Sequence, residues 1–180
     1  MNLPAVAIAK LSDIQALLQA GRAAPASVLL EIEAFAASLQ WQTREVAATA
    51  MVEIGKRHPA FVLQHARAWA KNKNPNLRRA ASESLRGIVK IDPHSARTVI
   101  ELLREDAELY VKKSVANVLR NASGKHSAFV LGVCRDWARS SSPHTHWIVK
   151  HGLRKLQASH PEEVAAILAS LPATRRGKIR

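Results

Sequence analysis

Apolar residues recur at three- and four-residue steps along most of the chain. Val28, Leu29, Ile32 and Phe35 form one stripe, and Val62, Leu63, Ala66 and Trp69 the next. Val99, Ile100 and Leu103 follow, then Val130, Leu131, Cys134 and Trp137, then Val164, Ile167, Leu168 and Leu171. A period near 3.6 predicts the buried face of an amphipathic helix in each case. No stretch shows the alternation of a strand.

The stripes repeat at a fixed step. His58-Pro59-Ala60-Phe61-Val62-Leu63 returns as His126-Ser127-Ala128-Phe129-Val130-Leu131, an offset of 68, or twice 34. Trp69 and Trp137 keep that offset. Positions 25, 59, 93, 127 and 161 read Pro, Pro, Pro, Ser, Pro. Proline lacks an N–H and has a preset φ, so it suits the first turn of a helix. Each repeat therefore has a second helix opening at that position. First helices are expected over about 10–20, 43–57, 77–91, 110–123 and 145–158. Ser12 or Asp13 is expected to cap the first of these, and Thr43 the next. Asn74-Pro75 and Ser142-Pro143 punctuate inter-repeat turns.

This pattern predicts an all-α solenoid of about five antiparallel helix pairs in a single domain over 1–171. One pair cannot bury its apolar face alone, so the pairs stack into a right-handed or curved superhelix. A step of 34 is also the tetratricopeptide length, but the Trp-Leu-Gly and Tyr pattern of that repeat is absent. The reading is therefore HEAT-like. Residues 172–180, PATRRGKIR, read as a basic tail.

Composition adds a partner. The chain has 180 residues, with Lys+Arg 27 against Asp+Glu 14, a formal charge of +13. A hydrophobic fraction of 47% excludes a disordered basic tail as the whole molecule. So large an excess on a folded domain points to a polyanion, nucleic acid first, with a merely solubilising surface as the plain alternative. The single cysteine excludes an internal disulfide and fits a reducing cytoplasm. No apolar run is long enough to span a bilayer, and MNLPAVAIAK lacks the cationic start of a signal peptide.

The repeat step sorts the charge into columns along the first helices. One column is Arg44, Arg78, Lys112 and His146; another, eight residues on, is Val52, Arg86, Arg120 and Arg154. Between them lie Ala48, Ser82, Ala116 and Lys150. Positions i, i+4 and i+8 share a helix face. The expectation is a cationic stripe whose small residues let a phosphate backbone approach closely. A solvated outer face is the alternative, yet no acid occupies any of these positions. Contact with six to ten phosphates would weaken binding by roughly 10³–10⁵ between 50 and 200 mM salt.

Beside the stripe runs a column of Thr49, Glu83, Asn117 and His151. Glu83 sits among Arg78, Arg79 and Arg86, which should keep it ionised. It is a candidate to stabilise a developing cation or orient a water; the alternative is a salt-bridged surface glutamate. His144, His146 and His151 are not framed as a metal site, so no metal and no cofactor is expected. Cys134, on an apolar face, reads as an inert buried thiol. Trp69 and Trp137 read as inter-repeat core, and Trp41 and Trp147 as candidates to stack on a base.

Three segments carry a family resemblance. They are Leu77-Arg78-Arg79-Ala80-Ala81-Ser82-Glu83, Tyr110-Val111-Lys112-Lys113-Ser114-Val115-Ala116-Asn117-Val118-Leu119, and Trp147-Ile148-Val149-Lys150-His151-Gly152-Leu153-Arg154. In this order they resemble the DNA alkylation repair proteins of the AlkC and AlkD superfamily, AlkC most closely, over about residues 43–171. The resemblance implies a HEAT-like solenoid that wraps duplex DNA, alkylated or distorted, in a basic face. It implies a metal-independent monofunctional glycosylase that releases N3- or N7-alkylated purines in base excision repair. It implies that Glu83 matches a family carboxylate near the lesion. Arg44, Arg78, Arg79, Arg86, Lys112, Lys113, Asn117, Arg120, Trp147, Lys150, His151 and Arg154 are the expected DNA-binding set. A monomer is expected.

The sequence departs from the family pattern twice. After Glu83 that pattern runs Gly-x-Arg-Pro-x-Leu-Pro-Trp, whereas this chain has Ser84-Leu85-Arg86-Gly87-Ile88-Val89-Lys90-Ile91. The Asn-Asp that follows the Val-Ala-Asn motif becomes Arg120-Asn121, and an amide cannot hold the charge of an aspartate. Whether the chain is an enzyme therefore stays open at this point. A non-catalytic DNA-binding module and a protein-binding scaffold stand as alternatives.

Overall fold

The computed structural model describes residues 11–172. Among them are ten α-helices and no strand. The first helices of the five repeats are α1 (Leu11–Ala23), α3 (Trp41–Gly55), α5 (Pro75–Glu83), α7 (Leu109–Ala122) and α9 (Pro143–Gly152). The second helices are α2 (Pro25–Ala37), α4 (Pro59–Ala70), α6 (Pro93–Leu103), α8 (Ser127–Trp137) and α10 (Pro161–Ala169). All four repeat prolines open a second helix, as their missing N–H and fixed φ dictate. The basic tail, apart from Pro172, lies outside the described residues.

Stacking follows the repeat. Each first helix packs on the first helix of the next repeat, from α1 through α9. From α2 to α8, each second helix packs on its own first helix and on the following one. One apolar core runs through all five pairs and includes Ile32, Met51, Val62, Leu85, Ile100, Leu119, Trp137 and Ile148. Trp69 and Trp137 are both buried in it, and the Trp137 indole N–H donates to Glu101 Oε2 at 3.1 Å. Cys134 is buried as well, and burial pushes its thiol up to about 12.

Helix boundaries differ from the sequence reading at several points. Pro75 and Pro143 are the first residues of α5 and α9, so these helices start two residues early. Asn74 caps α5: its Oδ1 accepts from the Asn76 N–H at 2.9 Å. Ser12 and Asp13 lie inside α1, so neither precedes it as a cap. Thr43 is the third residue of α3, behind Gln40 at the cap position, and its hydroxyl reaches Gln40 Oε1 at 3.4 Å. The expected continuous helices over 77–91 and 145–158 are interrupted. After Glu83 the chain tightens into two 3₁₀ turns, Ser84–Arg86 and Ile88–Lys90; after Gly152 it forms Leu153–Leu156. The repeat step predicts none of these changes, because a 3₁₀ turn keeps nearly the same apolar spacing as an α turn.

Candidate nucleic-acid interface

Four columns of the first helices take different roles. Ala48, Ser82 and Ala116 are buried, at 2%, 0% and 0% exposure. They do not let a phosphate approach. They let one first helix approach the next, and Ser82 Oγ–H meets Ser114 Oγ of α7 at 2.7 Å. Lys150 departs from this column and is exposed. The column at i+4 faces the adjacent repeat because each first helix has neighbours on both sides, a constraint that lies outside a single helical wheel.

The column of Arg44, Arg78, Lys112 and His146 is a set of turn clamps. Arg44 Nη1 donates to the carbonyls of Ser38 and Leu39, both at 2.8 Å. Arg78 Nη1 repeats this on Asn72 and Lys73, at 3.1 and 2.9 Å. His146 Nε2 binds the Ser140 carbonyl, again six residues back. These side chains hold the turn between repeats and satisfy carbonyls at the end of the preceding helix. Arg78 also forms a two-point pair with Asp106, Nε to Oδ2 at 2.6 Å and Nη2 to Oδ1 at 3.3 Å. That hydrogen-bonded pair holds the Arg78 guanidinium above its ordinary value. Burial, then the charge of Arg79, lowers Arg44. Lys112 is the exception. It donates to His144 Nδ1 at 3.3 Å and stands 5.8 Å over the Trp147 ring.

The remaining two columns build the site. Glu83, the last residue of α5, is only 8% exposed. Its Oε2 lies 3.4 Å from Arg86 Nε. Arg86 Nη1 reaches Glu45 Oε1 of α3 at 3.4 Å, and Arg79 Nη2 reaches Glu45 Oε2 at 3.2 Å. On the other side stands Arg120 of α7, which feels the charge of Glu83. Arg120 donates through Nη1 to the His151 carbonyl at 3.0 Å and through Nη2 to Asn117 Oδ1 at 3.4 Å. Burial, then the nearby Arg154, lowers Arg120.

His151 lies flat on Trp147, with ring centroids 3.6 Å apart and planes 14° apart. Its Nδ1 is 2.8 Å from the Trp147 carbonyl. A carbonyl only accepts, so Nδ1 carries the proton and, in the neutral ring, Nε2 is an acceptor. Burial lowers the imidazole, and Arg154, Arg120 and Lys150 reinforce the effect. His144, His146 and His151 thus have separate partners, and no group of three metal-ligating side chains gathers among the described residues.

The structure therefore brings Arg79, Glu83, Arg86, Asn117, Arg120, His151 and Arg154 to one side, with Trp147 and Lys112 beside them. Lys113 stands 5.2 Å over the Tyr110 ring. Trp41, at the start of α3, is 64% exposed. Sequence reasoning missed Glu45 and Asp106: Glu45 lies one repeat step of 34 before Arg79, in a column that the cationic stripe passed over, whereas Asp106 is 28 residues from Arg78 and matches no repeat step. No helix among the described residues is long and apolar enough to cross a membrane.

Comparison with known proteins bears on the fold and the family. The structure aligns with the Pseudomonas fluorescens alkylpurine DNA glycosylase AlkC, bound there to DNA containing an abasic site analog, at TM-score 0.71 and 25% identity. That alignment covers 86% of this chain and 44% of the AlkC chain. It also aligns with smu.31 from Streptococcus mutans UA159 at TM-score 0.64 and 27% identity, covering 78% of this chain and 73% of that one. In sequence it is 36% identical over 109 residues to the uncharacterized protein YhaZ of Bacillus subtilis (strain 168). That match spans 56% of this chain and 30% of the length of its relative. Residues 15–156 match the family described as DNA alkylation repair enzyme. The chain belongs to that family, and its helical-repeat fold is of the AlkC and AlkD type.

Proposed function

We propose that the chain binds double-stranded DNA, alkylated or distorted, across the first-helix face and releases N3- or N7-alkylated purines from it. The observation that carries this reading is the withdrawn carboxylate of Glu83, set between Arg86 and Arg120 on a cationic face. The cations meet phosphates and the carboxylate meets the lesion. An alkylated purine already bears positive charge. When the C1′–N bond breaks, its electron pair goes to the base, which leaves neutral, and positive charge moves to the sugar. A carboxylate held in a low-dielectric setting stabilises that sugar cation by electrostatics. Water then adds at C1′ and gives up a proton. No metal or cofactor takes part, and the protein acts as a cytoplasmic monomer.

Arg44 and Arg78 enter this reading mainly as supports, since their donors hold the inter-repeat turns. Arg79, Arg86, Lys112, Lys113, Asn117, Arg120, Trp147, Lys150, His151 and Arg154 are the groups assigned to DNA. The test is base release from an alkylated duplex, run beside Glu83→Gln. Release lost in that variant with DNA affinity kept supports the reading; equal release from both overturns it. A binding-only role is favoured by one observation. Arg120 and Asn121 stand where the family pattern has Asn-Asp, which leaves Glu83 without a second carboxylate from that motif. No release above buffer from the native protein, with DNA binding retained, would establish that role.

A further inference from the structure

A groove of about 420 Å³ opens beside the Glu83 site, where the first helices end. Val52 and Ile91 supply its apolar surface, and Lys56, Arg86, Lys90 and Lys125 surround it. No carboxylate lines it. Lys56 follows the end of α3, Arg86 and Lys90 belong to the 3₁₀ turns after α5, and Lys125 lies just beyond α7. Three repeats thus each send cations to one cavity. The repeat step also links Arg22, Lys56 and Lys90, a column 34 residues apart and separate from the two cationic columns of the helix face.

Cations at helix C-termini complement the helix dipole, which accounts for one lysine per helix. It does not account for four cations around a single cavity, where mutual repulsion favours an anion. Lys56 is neutralised by Glu53, and Arg86 is shared between Glu83 and Glu45. Lys90 and Lys125 are exposed and form no ion pair among the described residues. The volume lies in the range that holds a small anionic group with part of its carrier. Arg86 belongs to both the groove and the Glu83 site, so an anion here would be continuous with whatever occupies that site.

We infer that this groove seats the phosphodiester backbone of the bound DNA strand as it leaves the Glu83 face. The inference rests on the DNA-binding reading above. It extends the track to the ends of the first helices, with Lys90 and Lys125 as its phosphate contacts.

The test is DNA affinity of the full chain, read by fluorescence anisotropy from 50 to 200 mM salt, with Lys90→Ala/Lys125→Ala beside the native protein. Both side chains are exposed, and the Lys90 carbonyl that accepts from His126 survives the substitution, so the variant keeps its melting curve. The expected result is a log–log salt slope shallower by about 1.8, roughly 0.9 for each of two phosphates. A steep native slope that the double substitution leaves unchanged overturns the groove while the DNA-binding reading stands. An unchanged slope combined with loss of inorganic phosphate binding assigns the groove to a free anion and also overturns it. A native protein whose DNA affinity does not depend on salt overturns the underlying reading and the groove with it.

Discussion

Glu83 Oε2 lies 3.4 Å from Arg86 Nε, three residues on, and the same guanidinium reaches across to Glu45 on the neighbouring repeat. One arginine therefore sets the position of the buried carboxylate relative to α3. The break after Glu83 contributes to this. A 3₁₀ turn starting at Ser84 has about three residues per turn, which brings residue 86 back toward residue 83. A planar fork can address both carboxylates; a lysine ammonium is a point charge and cannot hold the same geometry.

Arg86→Lys is accordingly expected to lower base release by about tenfold, while Glu83→Gln lowers it by about 10²–10³, the scale of losing a preorganised electrostatic group. A positioning role predicts that Arg86→Lys acts mainly on the single-turnover rate, with little change in half-saturating DNA concentration. Equal losses in rate and binding would instead make Arg86 a simple phosphate contact.

Arg78→Ala should unfold the protein more readily without touching the lesion chemistry. The substitution removes two bonds to turn carbonyls and leaves the Asp106 side chain, 7% exposed, without its partner. Stranding a largely buried carboxylate costs about 3 kcal/mol. For a chain of this size that is a fall in Tm of roughly 6–12 °C, readable by circular dichroism. Asp106→Asn should cost less, since an amide tolerates burial better than an orphaned charge.

His151 is expected to stay neutral at pH 7, with its proton on Nδ1. Its titration in the folded protein lies below the usual imidazole value, by burial first and then by Arg154, Arg120 and Lys150. Between that lowered value and about 6.5, the unfolded chain binds a proton that the native chain does not. Stability is therefore full above about pH 6.5 and falls as the pH drops through that window. Nitrogen-15 NMR of the ring would show the tautomer directly. Urea midpoints at pH 7.5 and 5.5 should differ less in His151→Gln than in the native protein. An undiminished difference would place the acid sensitivity elsewhere.

The sequence reading and the structure agree where the physics is periodic. The prolines at 25, 59, 93 and 161 and the apolar stripes behind them predicted the second helices, all of which form where expected. The buried pair Trp69 and Trp137 followed from the same step. Agreement ends where a residue's role depends on the next repeat. Ala48, Ser82 and Ala116 lie on a helix-packing seam, and Arg44 and Arg78 face turn carbonyls rather than open solvent. A helical wheel gives the angle of each side chain about its own axis and says nothing of which neighbour fills that angle. Glu83 was legible as a carboxylate among arginines. Its burial was not, because burial there comes from the packing of α5 against α3 and α7.

Gly152 tests how closely two first helices must approach. It ends α9, and a Cβ placed there would stand 2.7 Å from Leu119 Cδ1 and 3.2 Å from Leu119 Cβ on α7. The first contact can relax by a rotation at the end of the leucine side chain. The second lies next to the α7 backbone, so relief requires the helices to part. Its φ is −69°, and no described residue has a positive φ, so backbone conformation is not the obstacle. Gly152→Val is therefore expected to destabilise the protein by about 1–3 kcal/mol through overpacking. Leu119→Ala alone should also destabilise it, by about 2–5 kcal/mol, through the cavity it leaves. Combined, the two changes should cost less than their sum, because each relieves the fault of the other. Because Arg120 and His151 flank this contact in sequence, parting the helices should also lengthen the Arg120 bond to the His151 carbonyl and weaken DNA binding. Strict additivity in a double-mutant cycle would show that Gly152 and Leu119 do not meet.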